Sequence, residues 1–590
     1  MASRKTADRM TLDRRTLLLG AAAAVVGAKA GLAAPRARGQ GVAGGRDLSD
    51  RRALLAQRSG FAASVAEGAE GWPDYVVATN ADGGPGSLRD ALESPRPCWI
   101  SFAPSLDGYS IIFGRQVLCR PNKVVDGRGS RVRIGGFGSD GILYDGRRVG
   151  TTANLVFAYC QFEAQTANAN SDMLTFYQGF DLVWLHHNVF GPGGSRDSYF
   201  DFTKSVWLTE IGGVDPGSGT LGLAVDGIAT GDCVQVGGDK RSVLPGGTAP
   251  HVAYWAERLR PGLIRLYRDP ALSVPVALTG PGAGGCQIGK KVVSRFTVDW
   301  NVIMNNPGAQ TYPLGDRITK GSLVGLDNPG NAPNDQGMFR DGLRGTYHHN
   351  LWQHIVTRQP NIEAGLVHLY NNVHLQWGEP DGKKSNVCGV ASDGQFVVEN
   401  CVFTPYSNGD THWFSEYERA RVPVVNADKG ALSVLGHPAA AVKALLLWSG
   451  IRFDNGARVE RRSNPVSAAT QGILRASYRV AAVEPGSGLL TVPNHNWNDG
   501  HPVEFASTGR LPGGLEPGGA YWARVIDADR IEVHDRPDFS AASPVRLSGA
   551  GSGVHTVSTR PFQPSDHYRY GLDGAAGLDR LLATQAGKTL

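Results

Sequence analysis

The stretch "GTYHHNLWQHIVTRQPNIEAGLVHLYNNV", residues 345–373, contains two copies of one pattern. Each copy alternates apolar residues, then sets down a polar amide, then adds another apolar pair; the first reaches Asn350 and the second Asn372. The same arrangement stands in "LVWLHHNVF" (182–190), "FTVDWNVI" (296–303) and "FVVENCVF" (396–403). Asn350, Asn372 and Asn400 are 22 and 28 residues apart. A short alternating strand that recurs at this period predicts an all-β chain wound as a parallel β-helix, each coil stacked on the one before. Asparagine suits the corner between strands, because it tolerates left-handed backbone angles and its amide can bond the asparagine one coil away. A sandwich of antiparallel strands has no reason to repeat one corner residue.

Composition agrees with a coiled, turn-rich chain. Among 590 residues there are 78 Gly and 34 Pro, and 19% are charged, so turns are frequent and strands short. The length calls for several domains or one long solenoid. A net charge of +5 with no Lys/Arg stripe argues against nucleic acid as partner. Seven cysteines without a C-x-x-C spacing argue against zinc. One or two disulfides, with Cys388–Cys401 the nearest pair, and buried free thiols both remain open.

At the N-terminus, "TLDRRTLLLGAAAAVVGAKAGLAAP" joins Arg14 and Arg15 to an apolar run ending in small residues. It reads as a twin-arginine export signal over residues 1–34, followed by a linker over 35–72, and predicts a secreted or periplasmic protein. No other apolar run approaches the roughly 20 residues of a membrane span, so no membrane partner is expected.

A second repeat interrupts the first. "VDPGSGTLGL" (214–223) matches "VEPGSGLLTV" (483–492), and "PVALTGPGAG" (275–284) matches "PVRLSGAGSG" (544–553). One β-rich module is therefore present twice, over 211–286 and 472–556. The coils fill 73–210 and 287–471, and a tail over 557–590 closes the chain. Tyr and Trp in the modules are open to two readings, sugar binding or a structural spacer. Helices are expected over 84–94, where a Ser precedes an acidic and apolar turn, over 436–450, and over 575–587.

Three carboxylates gather in the early coils: Asp172, and Asp197 with Asp201 in "RDSYFDFT". Residues four apart on a strand face one side, and Asp172 lies one coil earlier. Convergent carboxylates need a cation, and an oxygen-only set favours Ca²⁺ or Mg²⁺. On later coils the sign reverses, with Lys320 in "ITKGSLVGLD" and Arg358 in "TRQP". A metal facing fixed cations suits an anionic substrate.

These segments resemble the pectate lyases of polysaccharide lyase family 1. "VVATNADGGPGSLRDALE" with "VVDGRG" is similar to that family's opening, "LVWLHHNVF" to its V-W-I-D-H segment and "KGSLVG" to its K-x-x-L-I-G segment. "TYHHNLWQHIVTRQP" is similar to its H-H-N…R-x-P segment, and "DHYRYGLDGAAGLDRLL" to its closing tail. The resemblance implies a right-handed parallel β-helix and a monomeric enzyme that acts on an acidic polysaccharide with Ca²⁺. It implies that Asp172, Asp197 and Asp201 bind the metal, that Lys320 binds substrate and assists catalysis, and that Arg358 is the base. It also places Glu363 at a substrate-binding position where the family has arginine, and His186 where it has an acid. The expected reaction is β-elimination on polygalacturonate. Arg358 takes the C5 proton while Ca²⁺ and Lys320 stabilise the charge that builds on the uronate carboxylate. A glycoside hydrolase on this fold would be expected to show an adjacent Asp pair, and no such dipeptide occurs.

Overall fold

The computed structural model describes residues 47–587 apart from 136–140, 164–171, 192–197, 204–205, 239–241, 251, 306–319, 326–341, 356, 378–385, 406–411, 417–444, 455–457, 462–463, 466–471, 476, 494, 496, 498, 528 and 537–543. The export signal and Asp197 thus lie outside the described residues.

Three ladders of parallel strands run along the coils and form the faces of a parallel β-helix. One face stacks Cys98–Phe102, Lys123–Asp126, Leu155–Ala158, Val183–His186, Ser294–Asp299 and Leu343–His348. A second stacks Ile142–Asp145, Leu174–Tyr177, Ser198–Phe202 and Lys320–Val324. The long strands Asn361–Tyr370 and Asn386–Glu399 bend through both faces, pairing with the second by their first halves and with the first by their last. A third face stacks nine short strands among the described residues, including Val302–Met304, Leu351–Gln353 and Val373–Trp377. Within the coils, inward side chains repeat and stack: Phe202 lies flat on Phe296 at 3.7 Å, and His374 lies between Trp352 and Phe403.

The corner asparagines explain why the coils register. Asn188, Asn301, Asn350 and Asn372 are fully buried. Each of the first three donates its backbone N–H to the next one's Oδ1, at 2.8, 3.0 and 3.0 Å. Each Nδ2 donates to a backbone carbonyl of a preceding strand, from Phe157 through Leu185 and Val298 to Tyr347. Cysteines end the column, Cys160 donating its N–H to Asn188 and Cys401 receiving that of Asn372 at its sulfur. One expectation needs correcting. The left-handed residue is the one before each ladder position: His187, Trp300, His349, Asn371 and Asn400 all have φ between 49° and 56°. Asn400 therefore belongs to the outer column, where its Nδ2 bonds Asn371, and Cys401 occupies the ladder position. Further along this column, Tyr159, His187, Trp300 and His349 stack ring on ring.

Residues 47–72 are a packed strap where a linker was expected. Leu54, Leu55, Val65, Ala66 and Ala69 close over the outward side chains Trp99, Val124, Val156 and Trp184 of the first face. The helix Leu88–Glu93 begins at Ser87, whose hydroxyl accepts the Asp90 N–H. The helix Leu578–Gln585 seats Leu578 and Leu582 on Leu351, Val373 and Val402. Residues 445–449, expected to be helical, form a strand that extends the first face from Gln395–Glu399; the rest of the expected helix, 436–444, lies outside the described residues. Among the described residues, which include all seven cysteines, no disulfide forms: Cys388 donates to the Gln359 carbonyl and Cys401 closes the asparagine ladder.

The first repeated module is a closed six-stranded antiparallel barrel between Val206 and Lys291, and the second a seven-stranded antiparallel sheet between Ser477 and Thr559. Their buried side chains, Leu221, Tyr254 and Ile264 with Leu490, Trp497 and Val503, fall in one continuous cluster. Asp499 crosses between them: one oxygen accepts the N–H of Ala253 at 2.8 Å, the other that of Val525. Burial pushes its carboxyl up to about 6, against the two N–H groups that favour the anion.

Candidate active site

The second face carries the candidate residues on four adjacent coils. Its strands pair in register, Leu174 with Phe200 and Thr175 with Asp201, then Ser198 with Lys320 and Asp201 with Leu323. Leu323 pairs in turn with Asn361. Asp172 therefore stands at the level of Ser198, and the Ser198 N–H donates to its Oδ1 at 2.9 Å. The Thr175 hydroxyl donates to the other oxygen at 3.2 Å. Asp201 is buried and accepts the N–H of Leu323 at 2.8 Å. Three residues along a strand are about 10 Å, so Asp201 lies further down the face than Asp172. Asp197 would fall beside Ser198 in sequence. Among the described residues no three His, Cys, Asp or Glu side chains stand close enough to hold a metal together.

Arg358 reaches this face from the turn before strand Asn361–Tyr370. Its backbone is left-handed, with φ 59°. Residues 357 and 358 add one more rung to strand Lys320–Val324, since the N–H of Gly321 donates to the Thr357 carbonyl and that of Ser322 to the Arg358 carbonyl, at 3.0 and 2.7 Å. Gly321 is needed for this approach: a Cβ there would lie 2.3 Å from the Arg358 oxygen and 2.6 Å from the Trp352 ring. The buried Gln359 fixes the turn from beneath, donating to the Ile355 carbonyl at 2.7 Å and bonding His374 at 3.1 Å. So held, the guanidinium donates from Nη1 to the Ser198 hydroxyl at 3.1 Å. Lys320, half-buried, pairs with the same Ser198 and bridges Thr357.

The structure thus brings Arg358, Lys320 and Asp172 together around Ser198, and sets Asp201 beside Leu323 and Asn361 on the same face. Glu363 is buried two residues beyond Asn361, whose Nδ2 donates to it at 3.3 Å. The ladder slips between Ile362 and Ala364, so Glu363 sits at a bulge. His186 belongs elsewhere. It lies on the first face, bonded to Asp299 at 2.9 Å and to Gln57 of the strap at 3.0 Å. Asp299 also accepts the Trp184 indole N–H. Burial alone would raise Asp299, yet the charge and hydrogen bond of His186, with His348 nearby, hold it below the usual carboxylate value. Sequence reading did not single out Ser198, Thr175, Gly321 or Gln359. Gly321 alone had a visible signal, a glycine directly after a candidate lysine.

As donors for a divalent ion, Asp172 and Asp201 offer only oxygens. The donor chemistry fits Ca²⁺.

Comparison with known proteins bears on the same segment. Residues 312–423 match the pectate lyase family model. The chain is 34% identical over 90 residues to "Probable pectate lyase 4" of Arabidopsis thaliana; the match covers 15% of this chain and 23% of that protein. Among solved structures, the major allergen from cedar pollen has a TM-score of 0.40 at 15% identity, covering 72% of this chain and 89% of its own. Pectate lyase II of Xanthomonas campestris has a TM-score of 0.35 at 12% identity, covering 90% and 98%. It is over residues 312–423, the segment that holds Lys320, Arg358 and Glu363, that this chain carries the pectate lyase family pattern.

Proposed function

We propose that this chain is an exported polysaccharide lyase that cleaves polygalacturonate by Ca²⁺-assisted β-elimination, leaving a 4,5-unsaturated uronide. The observation that carries the reading is the junction at Ser198, where a guanidinium and a carboxylate are tied to one residue on the face shared with the family-matching segment. Asp172, Asp197 and Asp201 would hold the ion, whose charge would neutralise the substrate carboxylate and stabilise the negative charge developing there. Lys320 would make the second contact to that carboxylate. Arg358, in its neutral form, would take the C5 proton. The C5–H pair then becomes the C4–C5 double bond, and the glycosidic oxygen leaves with the C4–O pair and is protonated by water. Arg14 and Arg15, with the apolar run after them, support export by the twin-arginine route.

The test is an assay of the purified protein on polygalacturonate with Ca²⁺, following the ultraviolet absorbance of the conjugated uronide. Absorbance should rise, and should be lost on chelation and in Arg358→Ala, while that variant still binds Ca²⁺ by calorimetry. New reducing ends without absorbance would indicate hydrolysis; neither signal would indicate a polysaccharide-binding protein. Glu363 favours a second reading. A buried carboxylate beside Asn361, where the family has a cation, suits a neutral or methyl-esterified sugar at that subsite, or another uronan. Rates on polygalacturonate, methylated pectin and alginate separate these.

A further inference from the structure

We infer that Ser198 is the positioning residue of the site, its hydroxyl orienting the Arg358 guanidinium and its backbone N–H orienting the Asp172 carboxylate. The inference rests on the lyase reading and deepens it. Ser198 is fully buried, and its two polar groups serve opposite sides of the site. The hydroxyl accepts from Arg358 Nη1 at 3.1 Å, and the N–H donates to Asp172 Oδ1 at 2.9 Å. It also pairs with Lys320 across the ladder, so three candidate residues on three coils share one reference point. Arg358 is 160 residues away in sequence and has a long, rotatable side chain, so the hydroxyl selects one of many guanidinium positions. The backbone donation does not depend on the side chain. The two roles are therefore separable by substitution.

Ser198→Ala removes the hydroxyl and keeps the N–H. It should lower kcat by about 10- to 100-fold, the size of one hydrogen bond to a charged group. KM for an oligogalacturonide and Ca²⁺ affinity by calorimetry should stay within about twofold, because Asp172 keeps its donor. Ser198→Thr, which retains a hydroxyl, should recover part of the rate. A crystal structure of Ser198→Ala needs no turnover and should show the guanidinium displaced from its wild-type position. An unmoved guanidinium, an unchanged kcat, or a loss confined to Ca²⁺ affinity would each overturn the assignment. A wild-type protein without lyase activity would instead sink the functional reading, and the crystallographic comparison would still decide whether Ser198 places Arg358.

Discussion

Replacing Asn350 by Ala should loosen the coils at one identifiable level. Asn350 is fully buried and takes part in five ladder hydrogen bonds. Its Oδ1 accepts the backbone N–H and the Nδ2 of Asn301, both at 3.0 Å; its Nδ2 donates to the Val298 carbonyl at 2.8 Å and to Asn372 Oδ1 at 3.0 Å. Its own N–H donates to Asn372 and survives the change. The Asn301 Nδ2 retains the carbonyls of Leu185 and Asp299. The Asn301 backbone N–H loses its acceptor inside a dry interior, which costs about 1–3 kcal/mol. The three other lost bonds and the small void add about 0.5 kcal/mol each, giving roughly 3–5 kcal/mol in all. Hydrogen exchange read by mass spectrometry suits a chain of several units, for which a single unfolding free energy is poorly defined. Peptides covering 296–303 and 345–352 should exchange about 100- to 4,000-fold faster than in wild type, while peptides of the seven-stranded sheet between Ser477 and Thr559 should be unchanged. Acceleration below about tenfold in the coil peptides would refute the reasoning, since the ladder amides would then not be what holds adjacent corners together.

Gly321→Ala should cut lyase turnover while the rest of the chain stays folded, because the added Cβ would press on the Arg358 carbonyl and the Trp352 ring, neither of which yields cheaply. Overpacking of this kind costs about 1–3 kcal/mol, and unaltered kinetics in the variant would show that the close approach is not needed. Acid should destabilise the fold through buried neutral imidazoles. Burial holds His187 at about 4 and His348 at about 3, against 6.5 for an ordinary histidine. The unfolded chain therefore binds more protons across that interval, so their contribution is complete above pH ~6.5 and is lost as pH falls towards 3–4. Asp499, raised to about 6 by burial, acts with the opposite sign, its contribution fading as pH rises from ~4 to ~6. Two imidazoles outweigh one carboxyl, so Tm should drop on acidification below pH ~6.5; a Tm that rises from pH 6.5 to 4 would contradict this balance.

The winding of the coils was legible because their corners are local: an alternating strand and an amide recur wherever the chain must turn. The doubled modules were legible as a repeated sequence. What surrounds the coils was less so. Whether Asn371 or Asn372 holds the ladder depends on which of the two takes the left-handed angle, and asparagine tolerates it at either place. The strap over 47–72 has ordinary small apolar residues, whose partner surface of Trp99 and Trp184 comes together only on coiling. Arg358 and Asp172 stood out as charged residues in a family-like frame. Ser198 did not, since nothing in "RDSYFDFT" marks which side chain meets an arginine on a later coil. Asp499 was equally silent: its partner Ala253 belongs to the other module.

Running the reaction in water enriched in heavy oxygen and weighing the products tests the central claim most directly. β-Elimination breaks the glycosidic bond without adding water, so the new unsaturated ends should lack the mass of a water molecule and carry no solvent oxygen. Products that take up one heavy oxygen at each cut would show hydrolysis and contradict the role given to Arg358.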